Sequence, residues 1–63
     1  MDKKEFERQF KGIIKNPSDV VVVKGRGFTF NADDYYIGLN YVYFWYCNVF
    51  VVYTTLKSIL KVY

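Results

Sequence analysis

Between Tyr35 and Leu56 no residue carries a charge, and Tyr, Val, Phe and Trp dominate the stretch. Whatever this segment becomes must supply much of the core, because the whole chain has only 63 residues. Residue preference alone favours strand, since Val, Tyr, Phe and Trp suit a pleated surface. Two features favour helix. Phe30-Asn31-Ala32-Asp33-Asp34-Tyr35 offers Asn as an N-cap, acids where they meet the helix dipole, and a Phe/Tyr pair spaced for a hydrophobic staple. At roughly 100° per residue, Asn40, Asn48, Thr54, Thr55, Lys57, Ser58 and Lys61 also fall within about half of a helix circumference, whereas a strand would divide them between faces. Opposite that arc run Tyr35, Val42, Val49, Leu56 and Tyr63, flanked by Leu39, Trp45, Tyr46, Val52, Tyr53, Ile59 and Leu60. The expected element is one long helix over 32–62. The alternatives are a break at Cys47-Asn48 with a strand from Val49 to Tyr53 and a short helix from Thr55, or strand throughout.

The first half reads more simply. Phe6, Phe10, Ile13 and Ile14 recur on one helical face while Lys3, Lys4, Glu7, Arg8 and Lys11 lie elsewhere, which predicts an amphipathic helix over 2–15. Asp2 with Glu5 resembles a capping box, and Glu7 with Lys11 is a favourable pair. Pro17 disfavours helical geometry at Asn16, so Pro17-Ser18-Asp19 is a connector. Val20 to Lys24 and Phe28-Thr29-Phe30 flank Gly25-Arg26-Gly27, which predicts a hairpin over 20–30. The expected fold class is α+β, a single domain 1–63 with two helices around a hairpin. Its expected core is Phe6, Phe10, Ile13, Ile14, Val21, Val23, Phe28, Phe30, Leu39, Val42, Tyr46, Val49, Val52, Leu56 and Leu60.

Composition narrows the function. With 52% hydrophobic residues against 24% charged the chain is too apolar to stay disordered, and a net charge of +3 permits an acidic partner without requiring one. One Cys and no His rule out an internal disulfide and disfavour zinc, so no metal or cofactor is expected. Cys47 is expected to be a small buried or helix-face thiol, and the compartment a reducing cytoplasm. No secretion signal is evident in Met1-Asp2-Lys3-Lys4-Glu5. The acids Asp2, Glu5, Glu7, Asp19, Asp33 and Asp34 all sit where capping or solvation accounts for them, so no enzyme is expected.

Three features could carry function. Lys24-Gly25-Arg26-Gly27-Phe28-Thr29-Phe30 resembles the start of the octapeptide signature of RNA-recognition-motif domains, where basic residues precede Gly and two alternating aromatics stack bases. The resemblance covers these seven residues, departs from the pattern at Asn31, and lacks the upstream strand and helix such a domain needs. A basic hairpin tip at Lys24 and Arg26, with Lys4, Arg8 and Lys11 on the first helix, is the corresponding nucleic-acid candidate. The second feature is aromatic surplus: a helix of about 31 residues spans roughly 46 Å, more than the rest of the chain can cover. Tyr36, Tyr41, Tyr43, Phe44 and Trp45 are therefore the candidate anchors for another protein. The third is the uncharged run itself, whose length suits a bilayer of roughly 20 residues but whose central Tyr and Asn residues argue against insertion. The expected function is a non-enzymatic protein-binding module, an accessory subunit or inhibitor of a larger complex, working as a homo-oligomer. Nucleic-acid binding is the alternative, and a single-span membrane protein the second.

Overall fold

The computed structural model describes residues 1–63 and consists of one helix followed by six strands. Helix α1 (Lys3–Ile13) begins at Asp2, whose extended backbone lets its carboxylate accept the Glu5 N–H at 2.8 Å. Glu5 does not close a capping box. Its carboxylate is taken by Arg8 and Gln9, one turn further on. The helix stops at Ile14, and Asp19 then accepts the N–H groups of Lys15 and Asn16 at 2.9 and 2.8 Å, which folds the connector around Pro17. Those two donors hold the Asp19 carboxyl below its usual pKa.

Strands β1 (Val21–Gly25) and β2 (Phe28–Ala32) form a hairpin turning through Arg26-Gly27, where Gly27 sits at φ 85°. Gly25 faces Phe28 across the ladder, and the Phe28 ring lies over the space a side chain there would fill. After β2 the chain bends at Asp33 and continues as β3 (Asp34–Ile37), so one extended run passes from the first sheet into the second. Such a bend is the usual corner between packed sheets. Strands β4 (Val42–Tyr46) and β5 (Val49–Thr54) follow, then a 3₁₀ turn at Leu56–Ser58 and β6 (Ile59–Val62). Every pairing is antiparallel. Sheet A has the order β2-β1-β6 and sheet B the order β3-β4-β5. Although consecutive, β5 and β6 are not paired, so the structure stays open between them.

The long C-terminal helix expected from the sequence, whole or broken, is therefore not formed, and with it goes the helical membrane span: no helix is long and apolar enough to cross a membrane. Strand preference prevails, and both helix signals have other causes. The cap-like cluster is the corner: Asp33 donates its N–H to the Trp45 carbonyl at 2.9 Å and accepts the Cys47 N–H at 3.0 Å, while Asp34 accepts the Tyr35 N–H. The polar residues that traced a helical arc mostly mark the ends of strands. Asn40 lies between β3 and β4, Asn48 in the β4–β5 turn, and Thr55, Lys57 and Ser58 at the 3₁₀ turn. Cys47 and Asn48 take φ values of 51° and 64°, the left-handed pair of a type I′ hairpin, so Cys47 is an exposed turn residue and not a buried thiol.

The buried core is Phe6, Phe10, Val21, Val23, Ala32, Val42, Phe44, Ile59 and Val62. Ile13, Ile14, Phe28, Phe30 and Leu56 line its margin. Leu39, expected inside, is 99% exposed in the β3–β4 loop, and Tyr46, Val49, Val52 and Leu60 are also exposed. Phe44 is the junction of the layers, its ring 5.8 Å from Phe6 of the helix and 4.9 Å from Phe30 of sheet A. Phe6 and Phe10 meet Tyr35 at 5.0 and 4.7 Å, both edge-on, a geometry that adds about 0.5–1.5 kcal/mol per pair beyond burial.

Two substitutions test this packing by urea denaturation. Phe44→Ala should cost about 3–5 kcal/mol, enough to unfold a domain of this size at room temperature. Cys47→Asn should raise stability by about 0.5–1 kcal/mol, because Asn tolerates the left-handed turn position that Cys occupies under strain. A neutral Phe44→Ala or a destabilising Cys47→Asn would contradict the β4–β5 geometry.

Candidate functional site

Alternation along the strands gives each sheet an inner face on the core and an outer face on solvent. Across sheet B the register aligns Tyr36 with Tyr43 and Tyr43 with Tyr53, one outward row spanning three strands. Neighbouring rings in that row lie 6.2 and 5.8 Å apart, and Tyr41 closes on Tyr53 at 5.0 Å. A second row pairs Asp34 with Trp45 and Trp45 with Phe50, the Trp45 and Phe50 rings 5.8 Å apart and edge-on. An open hollow lies beside it, lined by Asp34, Tyr35, Tyr36, Trp45 and Asn48. The outer surface of sheet B is thus a nearly charge-free aromatic field.

Of the five expected protein anchors, Tyr36, Tyr41, Tyr43 and Trp45 belong to this field. Phe44 does not: it faces inward and is wholly buried, because its strand places every second residue on the core side. Tyr53 and Phe50 complete the rows and were missed in the sequence, where the helical frame put them out of register with Tyr43 and Trp45.

Beyond β4 the core ends abruptly. Phe44 is 0% exposed, yet Val52, its neighbour on β5, is 36% exposed, and Val49 reaches 66%. No residue of β5 is buried, none is charged, and the strand pairs on one side only. An edge that is both unpaired and apolar is a template for another strand.

The basic candidates separate. Lys24 stands on the outer face of sheet A and Arg26 at the tip of its hairpin, both exposed. Lys4, Arg8 and Lys11 follow one exposed line along α1, which packs against the core with its other side. Arg8 is already paired with Glu5, an ion pair that raises the guanidinium pKa and lowers that of the carboxyl. Glu7 does not pair with Lys11 and instead accepts the Tyr35 hydroxyl at 3.0 Å. Phe28 and Phe30 stack on each other and border the core, Phe30 against Phe44, so neither ring is offered to a base as the short signature resemblance implied.

No group of three or more His, Cys, Asp and Glu side chains is placed to hold a metal. No family model matches the chain, and no match was found among curated proteins or solved structures.

Burial and the bond to Glu7 push the Tyr35 hydroxyl up to about 12. Its proton is held more tightly in the folded chain than in the unfolded one, so this interaction stabilises below about pH 10 and is lost as pH rises toward 12. Thermal melts should therefore fall more steeply between pH 10 and 12 than in Tyr35→Phe. Identical slopes would show that the Tyr35–Glu7 bond does not link the helix to sheet B.

Proposed function

We propose that this chain is a non-enzymatic protein-binding module that acts as a homo-oligomer, with the free edge of β5 as the surface on which a second copy adds. The observation that supports it is the state of β5: six consecutive uncharged residues, none buried, on an unpaired edge next to β4, whose inward Val42 and Phe44 are buried. Small chains commonly reach adequate burial by pairing. Edge strands that must remain single are usually short or interrupted by charge. Of the other three edge strands, β3 has that protection in its four residues and Asp34, and β6 in its four residues and Lys61. Strand β2 is uncharged but shorter than β5, which at six residues is the longest edge and has no charge.

Strand addition leaves the outer face of sheet B open and enlarges it. Tyr36, Tyr41, Tyr43 and Trp45 are then the anchors offered to a further protein, in keeping with a role as accessory subunit or inhibitor of a larger complex. Tyr and Trp suit this use because they bury large areas at little entropic cost.

Light scattering coupled to size exclusion tests the self-association at micromolar concentration. The parent chain should run as a dimer if β5 meets β5 about a two-fold axis, or as a larger closed assembly if β5 meets the edge of β6. Val51→Lys, a charge placed on the edge strand, should give a folded monomer, while Tyr43→Ala should keep the parent mass. A monomeric parent, or one dissociated by Tyr43→Ala and not by Val51→Lys, would overturn the assignment.

A further inference from the structure

The outer face of sheet A differs from that of sheet B in kind. The register aligns Thr29 with Lys24 and Lys24 with Lys61, a row across three strands in which two lysines stand directly opposite each other. In the next row Asn31 lies opposite Val22, and Val22 exchanges both backbone hydrogen bonds with Tyr63 at 2.7 and 3.0 Å. The Lys61 ammonium lies 4.8 Å above the Tyr63 ring. At the end of the sheet the Arg26 N–H donates to the Ser58 carbonyl, which sets the hairpin tip against the 3₁₀ turn that carries Lys57.

Four cations lie at this end of sheet A: Lys24 and Lys61 on its outer face, Arg26 at the hairpin tip, and Lys57 on the adjoining 3₁₀ turn, where it also lines a hollow with Leu39, Asn40 and Tyr41. Strands β1, β2 and β6 and the 3₁₀ turn contain no acidic side chain. None of the four has an ion-pair partner, since the one ion pair of the molecule joins Arg8 to Glu5. Like charges directly opposite on adjacent strands destabilise a sheet. Packing does not account for this arrangement, because both lysines are exposed.

We propose that the outer face of sheet A binds single-stranded nucleic acid, the four cations contacting phosphates and the Tyr63 ring stacking on a base. Charge complementarity selects a polyanion, and the flat strand surface suits an extended single strand better than the groove of a duplex. Half-exposed Tyr63 supplies the aromatic platform typical of such surfaces, and Thr29 and Asn31 add hydrogen-bonding groups beside it. An anionic membrane would need a broad apolar surface among the cations, and here only Val22, Tyr63 and the exposed Leu60 beside Lys61 could contribute to one. This surface is separate from β5, so it stands or falls independently of the oligomer.

The probe is a fluorescently labelled 20-nucleotide oligothymidylate, titrated by anisotropy between 50 and 300 mM KCl. Four phosphate contacts predict a slope of log K against log salt of about −2.8, and Lys24→Gln with Lys61→Gln should bring it to about −1.4. That double variant relieves a repulsion and should melt no lower than the parent. Lys4→Gln with Lys11→Gln on α1 should leave the slope unchanged. Tyr63→Ala should weaken binding at least about fivefold at every salt concentration, because stacking does not release counterions. Absence of binding at 50 mM KCl would overturn the proposal. So would a slope indifferent to Lys24 and Lys61, or equal affinity for phosphatidylserine vesicles together with indifference to Tyr63→Ala.

Discussion

Everything in this structure leans on the contact of Phe44 with Phe6 and Phe30. Those three rings come from the middle strand of one sheet, the helix, and an edge strand of the other sheet, and they bring all three layers together at one point. A two-stranded hairpin is marginal in water, and a small sheet becomes stable by covering its apolar face. Here neither sheet stands alone, because α1 inserts Phe6 and Phe10 where the two inner faces meet, and Tyr35 ties that insertion to sheet B through Glu7. With only nine apolar side chains fully buried, each carries a large share of a small stability.

A core this small covers two inner faces and leaves two outer ones. The inner faces resemble each other in chemistry, and the outer faces do not. Sheet B presents rows of Tyr, Trp and Phe, and sheet A presents lysines with Thr, Asn and Tyr. The division follows directly from strand alternation: every residue opposite a core residue on its strand must face solvent, and the chain places aromatics there after Asp34 and cations there before it and after Leu56. Between the two faces lies β5, where the core has run out and the backbone edge is free. Self-association at that edge would join copies without covering either outer face.

The first half of this architecture was legible in the sequence and the second was not, for an identifiable reason. In α1 the spacing of Phe6, Phe10, Ile13 and Ile14 stands out against charged neighbours, and in the first hairpin Gly27 marks the turn. From Tyr35 to Leu56 no such contrast exists, because the residues of both faces are apolar and the alternation of Val42, Tyr43, Phe44 and Trp45 is invisible to a hydrophobic pattern. The usable signal was punctuation: Gly38 to Asn40, Cys47-Asn48 and Thr55 divide the segment into strand-length pieces, and Asp33-Asp34 precede it as a corner that imitates a helix start. The candidate anchors were found by residue type, so four of them lie on the aromatic field, and Phe44, which differs from them only in parity, turned out to be the centre of the core. The basic face was half seen, in Lys24 and Arg26. Lys61 joins them only through the β1–β6 pairing, a contact between distant parts of the chain that no local pattern reveals.

Amide hydrogen exchange resolved residue by residue, followed as a function of protein concentration, is the most direct test that β5 is an open edge which a second copy covers. Amides of β1 and β4, the central strands, should be protected at every concentration. Outward amides of β5 should exchange rapidly in dilute solution and become protected as concentration rises through the association range. Exchange in β5 that is unchanged from nanomolar to millimolar protein would contradict the account.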